Sequence, residues 1–291
     1  MHFENMEAIR LGAVKYEIAS KKVTSFDSYI KPVNRSPLTS FCKNLTRIKD
    51  SDLAHANEFS IVFSEFLTWI GGIKKSRFFS WSKSDLARLK IDSHKHHVPE
   101  RTISKIEKRY VDFQSVFTKR VSKNPVSVES GLELYGLSFI GNKHNPMYDS
   151  YNTLRIYVSF LNEPIQSDLI MLQRYIFKDE LLSTSHLNRK IQIEFKKDIT
   201  ILCSELKDIY KMKDVEKTTK KIKRIAYKYE NILINRSGLF SEDIMSLVES
   251  FIRFYHEFLL SYQEHQQYLS KIMILGDHMI TPLKHLQTRN G

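Results

Sequence analysis

Cysteine is nearly absent: Cys42 and Cys203 are the only two in 291 residues. That rules out a disulfide framework and fits a reducing compartment. Cys/His clusters with metal-ligand spacing are missing too. No stretch is long and apolar enough to cross a bilayer; the most apolar late segment, Phe251 to Tyr262, is interrupted by Arg253, His256 and Glu257. The first ten residues carry Glu4, Glu7 and Arg10 around no apolar centre, so they do not read as a secretory signal. There is no internal repeat. A soluble cytoplasmic protein with no membrane partner is the expectation.

What is present is enough apolar material for real cores, 42% of residues, with 27% charged. The length suits two domains. The net charge is +12, and it is uneven. Residues 1–163 hold 25 Lys/Arg against 17 Asp/Glu, and the remainder 20 against 16, giving +8 and +4. Such a basic surface favours polyanions through counterion release, although a solvated basic surface without a partner is the plainer reading.

The first half alternates strand-like and helix-like segments. Ile9 to Tyr16 and Val23 to Ile30 read as strands, and Asp50 to Ile70 as a helix stopped by Gly71-Gly72. Ser76 to Trp81 reads as a buried strand, Ser82 to Leu89 as a helix, and His94 to His97 as a polar loop. Arg101 to Tyr110 and Val128 to Tyr135 read as helices. Asn145-Pro146 opens another, with Asn as N-cap and Pro at the first position. This order implies an α/β sheet domain. Asn162-Glu163-Pro164 marks a boundary, after which helices are predicted over 166–180, 186–211, 214–235 and 241–275. The stripe Phe251, Tyr255, Phe258, Tyr262 reads as a core face. Lys213 to Lys228 is a basic helix, either touching phosphates or simply solvated.

Four segments then stand out in order. Glu7 to Val14 (EAIRLGAV) is similar to an E-I-I-E-I-G-A-V strand, and Leu38 to Ile48 (LTSFCKNLTRI) to L-S-x-F-C-x-x-L-T-x-I. Ser80 to Asp85 (SWSKSD) is similar to S-W-G-x-x-D. Gly131-Leu132 and His144 to Thr153 (HNPMYDSYNT) are similar to G-L…H-x-x-x-x-D-A-x-N-T. Together they resemble the DEDDh 3′–5′ exonucleases, closest to the RNA-processing and sporulation-control subgroup. The resemblance implies a ribonuclease H-like α/β domain over 1–163, a mixed sheet with flanking helices, followed by an all-α domain over 164–291. It also implies hydrolysis of single-stranded RNA or DNA with Mg²⁺ or Mn²⁺, in a centre whose two metals lie roughly 3.5–4 Å apart. By position, Asp85 and Asp149 would be carboxylates on the metals, Glu4 a third, and His144 the general base. The helix dipole is expected to favour ionised Asp149. Taken singly, each residue has a plain reading: Asp85 with Ser82 as a capping box, Asp149 as a first-turn acid, His144 as a loop histidine.

The resemblance breaks at its first motif. The family opens on an Asp-x-Glu strand and a loop before the E-I-I-E-I-G strand. Here His2-Phe3-Glu4 offers His for Asp, and the connecting loop is missing. Arg10 replaces the strand glutamate, Ser82 a glycine, and Ser150 an alanine. A truncated start or a degenerate, catalytically silent fold is therefore the competing expectation. A third is an adaptor whose helical part binds a protein partner.

Overall fold

The computed structural model describes residues 6–34, 36–178, 184–234 and 236–288. The chain divides into two compact units, Met1–Asn162 and Glu163–Gly291.

In the first unit, β1 (Arg10–Glu17) and β2 (Lys22–Lys31) form an antiparallel hairpin, with β3 (Asn57–Glu58) added in parallel to the end of β2. Between them run α1 (Ser40–Thr46) and α2 (Asp50–Ala54). After β3 come α3 (Phe59–Ile70), β4 (Phe78–Ser80), α4 (Lys83–Lys95), α5 (Glu100–Glu107) and β5 (Tyr110–Asp112). α6 (Phe113–Phe117) runs into a π-helical turn, Thr118–Ser122, and α7 (Val128–Glu133) and α8 (Pro146–Asn162) complete the unit. β4 and β5 pair in parallel as a separate sheet.

Strand alternation sends Leu11, Ala13, Phe26 and Ile30 to one face, where α3 covers them with Phe59, Val62, Phe63, Phe66 and Ile70. α8 takes the opposite face of β1. The register makes Ile9 and Ile30 a hydrogen-bonded pair, so the backbone groups of Arg10, Gly12, Val14 and Tyr16 point away from β2. In β4, the Phe78 N–H turns to Arg109 of the β5 side, which leaves the Phe79 backbone facing outward. The outer edges of β1 and β4 thus carry no strand partner among the described residues.

The chain ahead of β1 is tied down by side chains of α4. Buried Asp92 accepts the Ala8 N–H at 3.0 Å, and Arg88 donates to the Met6 carbonyl at 2.6 Å. Glu7 accepts the N–H groups of Val33, at 2.5 Å, and Asn34 and is paired with Lys95. Burial pushes the Glu7 carboxyl up, but those partners outweigh it and hold it below the usual carboxylate range. Glu7 is therefore a structural latch.

The second unit comprises α9 (Pro164–Tyr175), α10 (Leu187–Glu205), α11 (Met212–Tyr229), α12 (Glu242–Gln267) and α13 (Asp277–Thr288) around one apolar core. Phe251 and Phe258 are fully buried, and Tyr255 and Tyr262 pack beside them. Within the core wall, Lys228 bridges Glu194 and Asp198 at 2.9 and 2.7 Å, and Asp198 accepts the Tyr229 hydroxyl at 2.8 Å. The all-α expectation for 164–291 needs correction. β6 (Ile209–Lys211) and β7 (Ile272–Ile274) form an antiparallel ribbon where helices were predicted to run through 211 and 275. Both segments are short apolar alternations, which helical periodicity cannot separate from strand. Tyr210 and Met273 point into the core, and their neighbours point out.

Asp92→Ala leaves the Ala8 N–H without its acceptor. A loss of about 1–3 kcal/mol in unfolding free energy is expected from urea titration. An unchanged midpoint would show that the α4 latch contributes nothing.

Candidate active site

Two glycines let the motif-bearing segments touch. A Cβ on Gly12 of β1 would lie 2.1 Å from the Met147 nitrogen and 2.6 Å from the Pro146 carbonyl carbon, so the start of α8 rests directly on β1 backbone. Ser150 Oγ donates to the Gly12 carbonyl at 3.2 Å, on the edge that β2 leaves unpaired. This gives the serine that replaces the family alanine a role. A Cβ on Gly131 of α7 would lie 3.0 Å from Trp81 Cη2 and 3.0 Å from Ile156 Cδ1, which brings α7, the end of β4 and α8 together. Trp81 Nε1 donates to the Val126 carbonyl at 2.8 Å and fixes the indole.

α8 starts where the Asn-Pro pair predicts. Asn145 Oδ1 accepts the Met147 N–H at 3.0 Å. Asp149 follows in the first turn, half-buried. Burial pushes its carboxyl above the usual range; the His144 imidazole and backbone N–H pull it down, and the Asp85 charge adds to the rise. The helix dipole was expected to favour the ionised form, and desolvation outweighs it.

Asp85 stands on the first turn of α4. Its side chain reaches solvent, yet the surrounding protein desolvates the carboxyl and raises it, against hydrogen bonds from the Ser80 hydroxyl and from the N–H groups of Asp85 itself and Ser82. Only half of the expected capping box forms, because Ser82 Oγ lies 2.5 Å from Ser84 Oγ and makes no cap bond. Ser80 Oγ is 2.6 Å from the Tyr110 hydroxyl, which donates to the Ser82 carbonyl at 2.8 Å. β5 thereby anchors the Asp85 turn; Tyr110, which the sequence placed at the end of a helix, opens this strand instead.

His144 is exposed, with φ of 63°. A non-glycine residue held in that left-handed region costs on the order of 1 kcal/mol or more. Gly141 precedes it at φ 86°, with the Tyr148 ring against it. The structure thus brings Asp85 and His144 each within electrostatic reach of Asp149. Glu4 lies outside the described residues, as do His2 and Phe3. Arg10 pairs with Asp27 through Nε at 2.6 Å and through a second nitrogen at 2.5 Å, and it stacks 4.8 Å from the Tyr29 ring centroid. It occupies the β1 face with a satisfied cation, where the family carries an acid.

Among the described residues no cluster of three or more His, Cys, Asp or Glu could hold a metal. Among the described residues, Asp85 and Asp149 are the two carboxylates of the motif segments, fewer than the two-metal centre of the resemblance would use. They do fit one hard cation of the Mg²⁺ or Mn²⁺ type shared with a substrate phosphate, since such ions commonly take one or two protein carboxylates.

Residues 2–157, over half of the chain, match the exonuclease family model. The chain belongs to the exonuclease family. It is 23% identical over 188 residues to ERI1 exoribonuclease 2 of Danio rerio, covering 58% of this chain and 34% of that one. It is 24% identical over 168 residues to the 3′-5′ exonuclease crn-4 of Caenorhabditis elegans, covering 54% and 56%. A probable 3′-5′ exonuclease, KapD of Bacillus subtilis, is 24% identical over 151 residues, covering 52% and 71%. The crystallised nuclease domain of 3′hExo, a DEDDh family member bound to rAMP, is similar at 21% identity and a TM-score of 0.48, covering 54% and 82%. The matched region spans about a third of the first relative and just over half of the second.

The raised Asp149 carboxyl has a stability consequence. The folded chain holds its proton more tightly than the unfolded chain, so this group's contribution is best at acid pH and falls as pH rises through the raised value. Asp149→Asn removes the penalty. At about pH 7.5 its Tm should exceed wild type, and the gap should close as pH falls toward about 3, below both values. A Tm difference independent of pH would refute this reading.

Proposed function

We propose that the chain shortens single-stranded RNA or DNA from the 3′ end, using Asp85, Asp149 and His144 with one divalent cation. The reading is supported by Asp149, on a segment resembling a family motif, whose carboxyl is raised by burial, pulled down by His144 and raised further by Asp85, the two other motif residues. Asp149, in the first turn of α8, would hold the cation directly, and Asp85 would hold it through water. When bound, the cation supplies charge neutralisation at the scissile phosphate.

The residues of the chain do the rest. His144, on its exposed loop, takes the proton from the attacking water. The Asp149 carboxylate faces the imidazole and stabilises the cationic form that results. Ser80, Tyr110 and the Ser82 N–H hold the Asp85 turn in place. The preference for RNA suggested by the L-T-S-F-C segment is part of the proposal. Its helix, α1, is capped by Thr39 and leaves Phe41 75% exposed.

A second reading, a module that binds nucleic acid without hydrolysing it, is favoured by Arg10, which stands paired with Asp27 where the resemblance places an acid. A 5′-labelled oligonucleotide incubated with the full chain and Mn²⁺ or Mg²⁺ separates the two. Under the first reading it shortens from the 3′ end, chelator stops the reaction, and Asp149→Asn abolishes it. Unchanged full-length substrate at enzyme excess, or cleavage surviving in Asp149→Asn, would overturn the first reading.

His144→Gly refines the assignment. It relieves the left-handed backbone while removing the base, so turnover should drop about 10²- to 10⁴-fold with Tm equal to or above wild type. Turnover within twofold of wild type would remove His144 from the reaction.

A further inference from the structure

α11 turns Val215, Thr219, Ile222, Ala226 and Tyr229 into the core of the second unit. Its opposite face carries Lys213, Lys217, Lys220, Arg224 and Tyr227 at i, i+4, i+7, i+11 and i+14, all exposed. At 100° per residue these five fall in one narrow stripe. One acid shares it: Glu216 pairs with Lys220 at 2.6 Å. Among the described residues, Lys213, Lys217 and Arg224 carry no ion pair. Three uncompensated cations therefore lie along about 16 Å of helix, the length of a few nucleotides.

The stripe ends on an aromatic ring. Tyr227 is 38% exposed, and its ring centroid lies 5.3 Å from that of Tyr175, which is buried. The two hydroxyls are 3.3 Å apart. The Tyr227 ring is thus held beside a fixed neighbour tilted 52° to it, while part of the ring meets solvent. A row of cations beside a held aromatic is how proteins track a single strand without reading its sequence. A membrane surface is a poorer match: a helix lying on lipid inserts its apolar face, and the apolar face of α11 is already buried in the core.

We propose that this face of α11 binds the phosphates of single-stranded nucleic acid, with Tyr227 stacking a base. The site is built wholly within the second unit and requires no hydrolysis, so it stands or falls separately from the nuclease reading.

The test uses the full chain in chelator. Fluorescein-labelled oligo(U) and oligo(dT) of about 20 nucleotides are titrated by anisotropy over several salt concentrations, long enough to cover the stripe. The triple variant Lys213→Gln, Lys217→Gln, Arg224→Gln should bind at least about tenfold more weakly at low salt. Its slope of log K against log salt should flatten by about 2, close to 0.7 for each of three phosphates. Tyr227→Ala should weaken binding several-fold with the slope unchanged, because stacking releases no counterion. Lys213→Arg with Lys217→Arg should bind like wild type. Binding through α11 without any shortening of the strand would support this site while the nuclease reading fails. A triple variant that binds like wild type would overturn the site. So would one that loses affinity without a change in slope, or a wild-type chain that prefers acidic phospholipid vesicles or polyglutamate to the oligonucleotides.

Discussion

The contact between Gly12 and the start of α8 governs the first unit. Backbone meets backbone there, at a distance that any side chain on β1 would prevent. The contact fixes where α8 begins, and hence where His144 and Asp149 stand relative to the strand. Close packing makes such a contact all-or-none, since neither a strand nor a helix start compresses. Gly131 plays the matching part on the other side, admitting Trp81 and with it the turn that leads to Asp85. The candidate site is thus a product of two close approaches, each made possible by a missing Cβ.

Electrostatics at the site runs against ordinary stability. Asp85 and Asp149 are both raised by desolvation, and each would be more comfortable in water. His144 adds a left-handed backbone. Such local costs cluster where chemistry needs charge to be held ready. The open edges of β1 and β4 belong to the same region of the fold. Edges of this kind attract further strands, and here Ser150 covers one carbonyl while the α4 latch holds the chain leading into β1.

Much of this was legible in the sequence, because the signals were local. Asn145-Pro146 announces the start of α8, and the Asp-Ser-Tyr-Asn run after it places the acid in the first turn. The strand-forming run Ile9 to Tyr16 and the alternation of Val23 to Ile30 announce the hairpin. What was not legible depended on distant partners. Nothing near Gly12 or Gly131 tells that a helix start or an indole will press on it. Nothing near Tyr110 tells that its hydroxyl will anchor the Asp85 turn. The β6–β7 ribbon was misread because Ile209-Tyr210-Lys211 and Ile272-Met273-Ile274 gain their strand character only from each other, across some sixty residues of chain. The three-histidine segment divides, with His94 ending α4 and His96 stacking 5.1 Å from Phe59.

Gly12→Ala offers the most direct measurement. A single added methyl must displace the start of α8, so cation-dependent shortening of a labelled strand should fall at least about tenfold and unfolding free energy should drop by about 1–3 kcal/mol or more. The neighbouring Ala13→Gly, on the α3 face, should leave the shortening rate within a few-fold of wild type. A Gly12→Ala chain that cleaves and unfolds like wild type would contradict the claim that this contact positions the site.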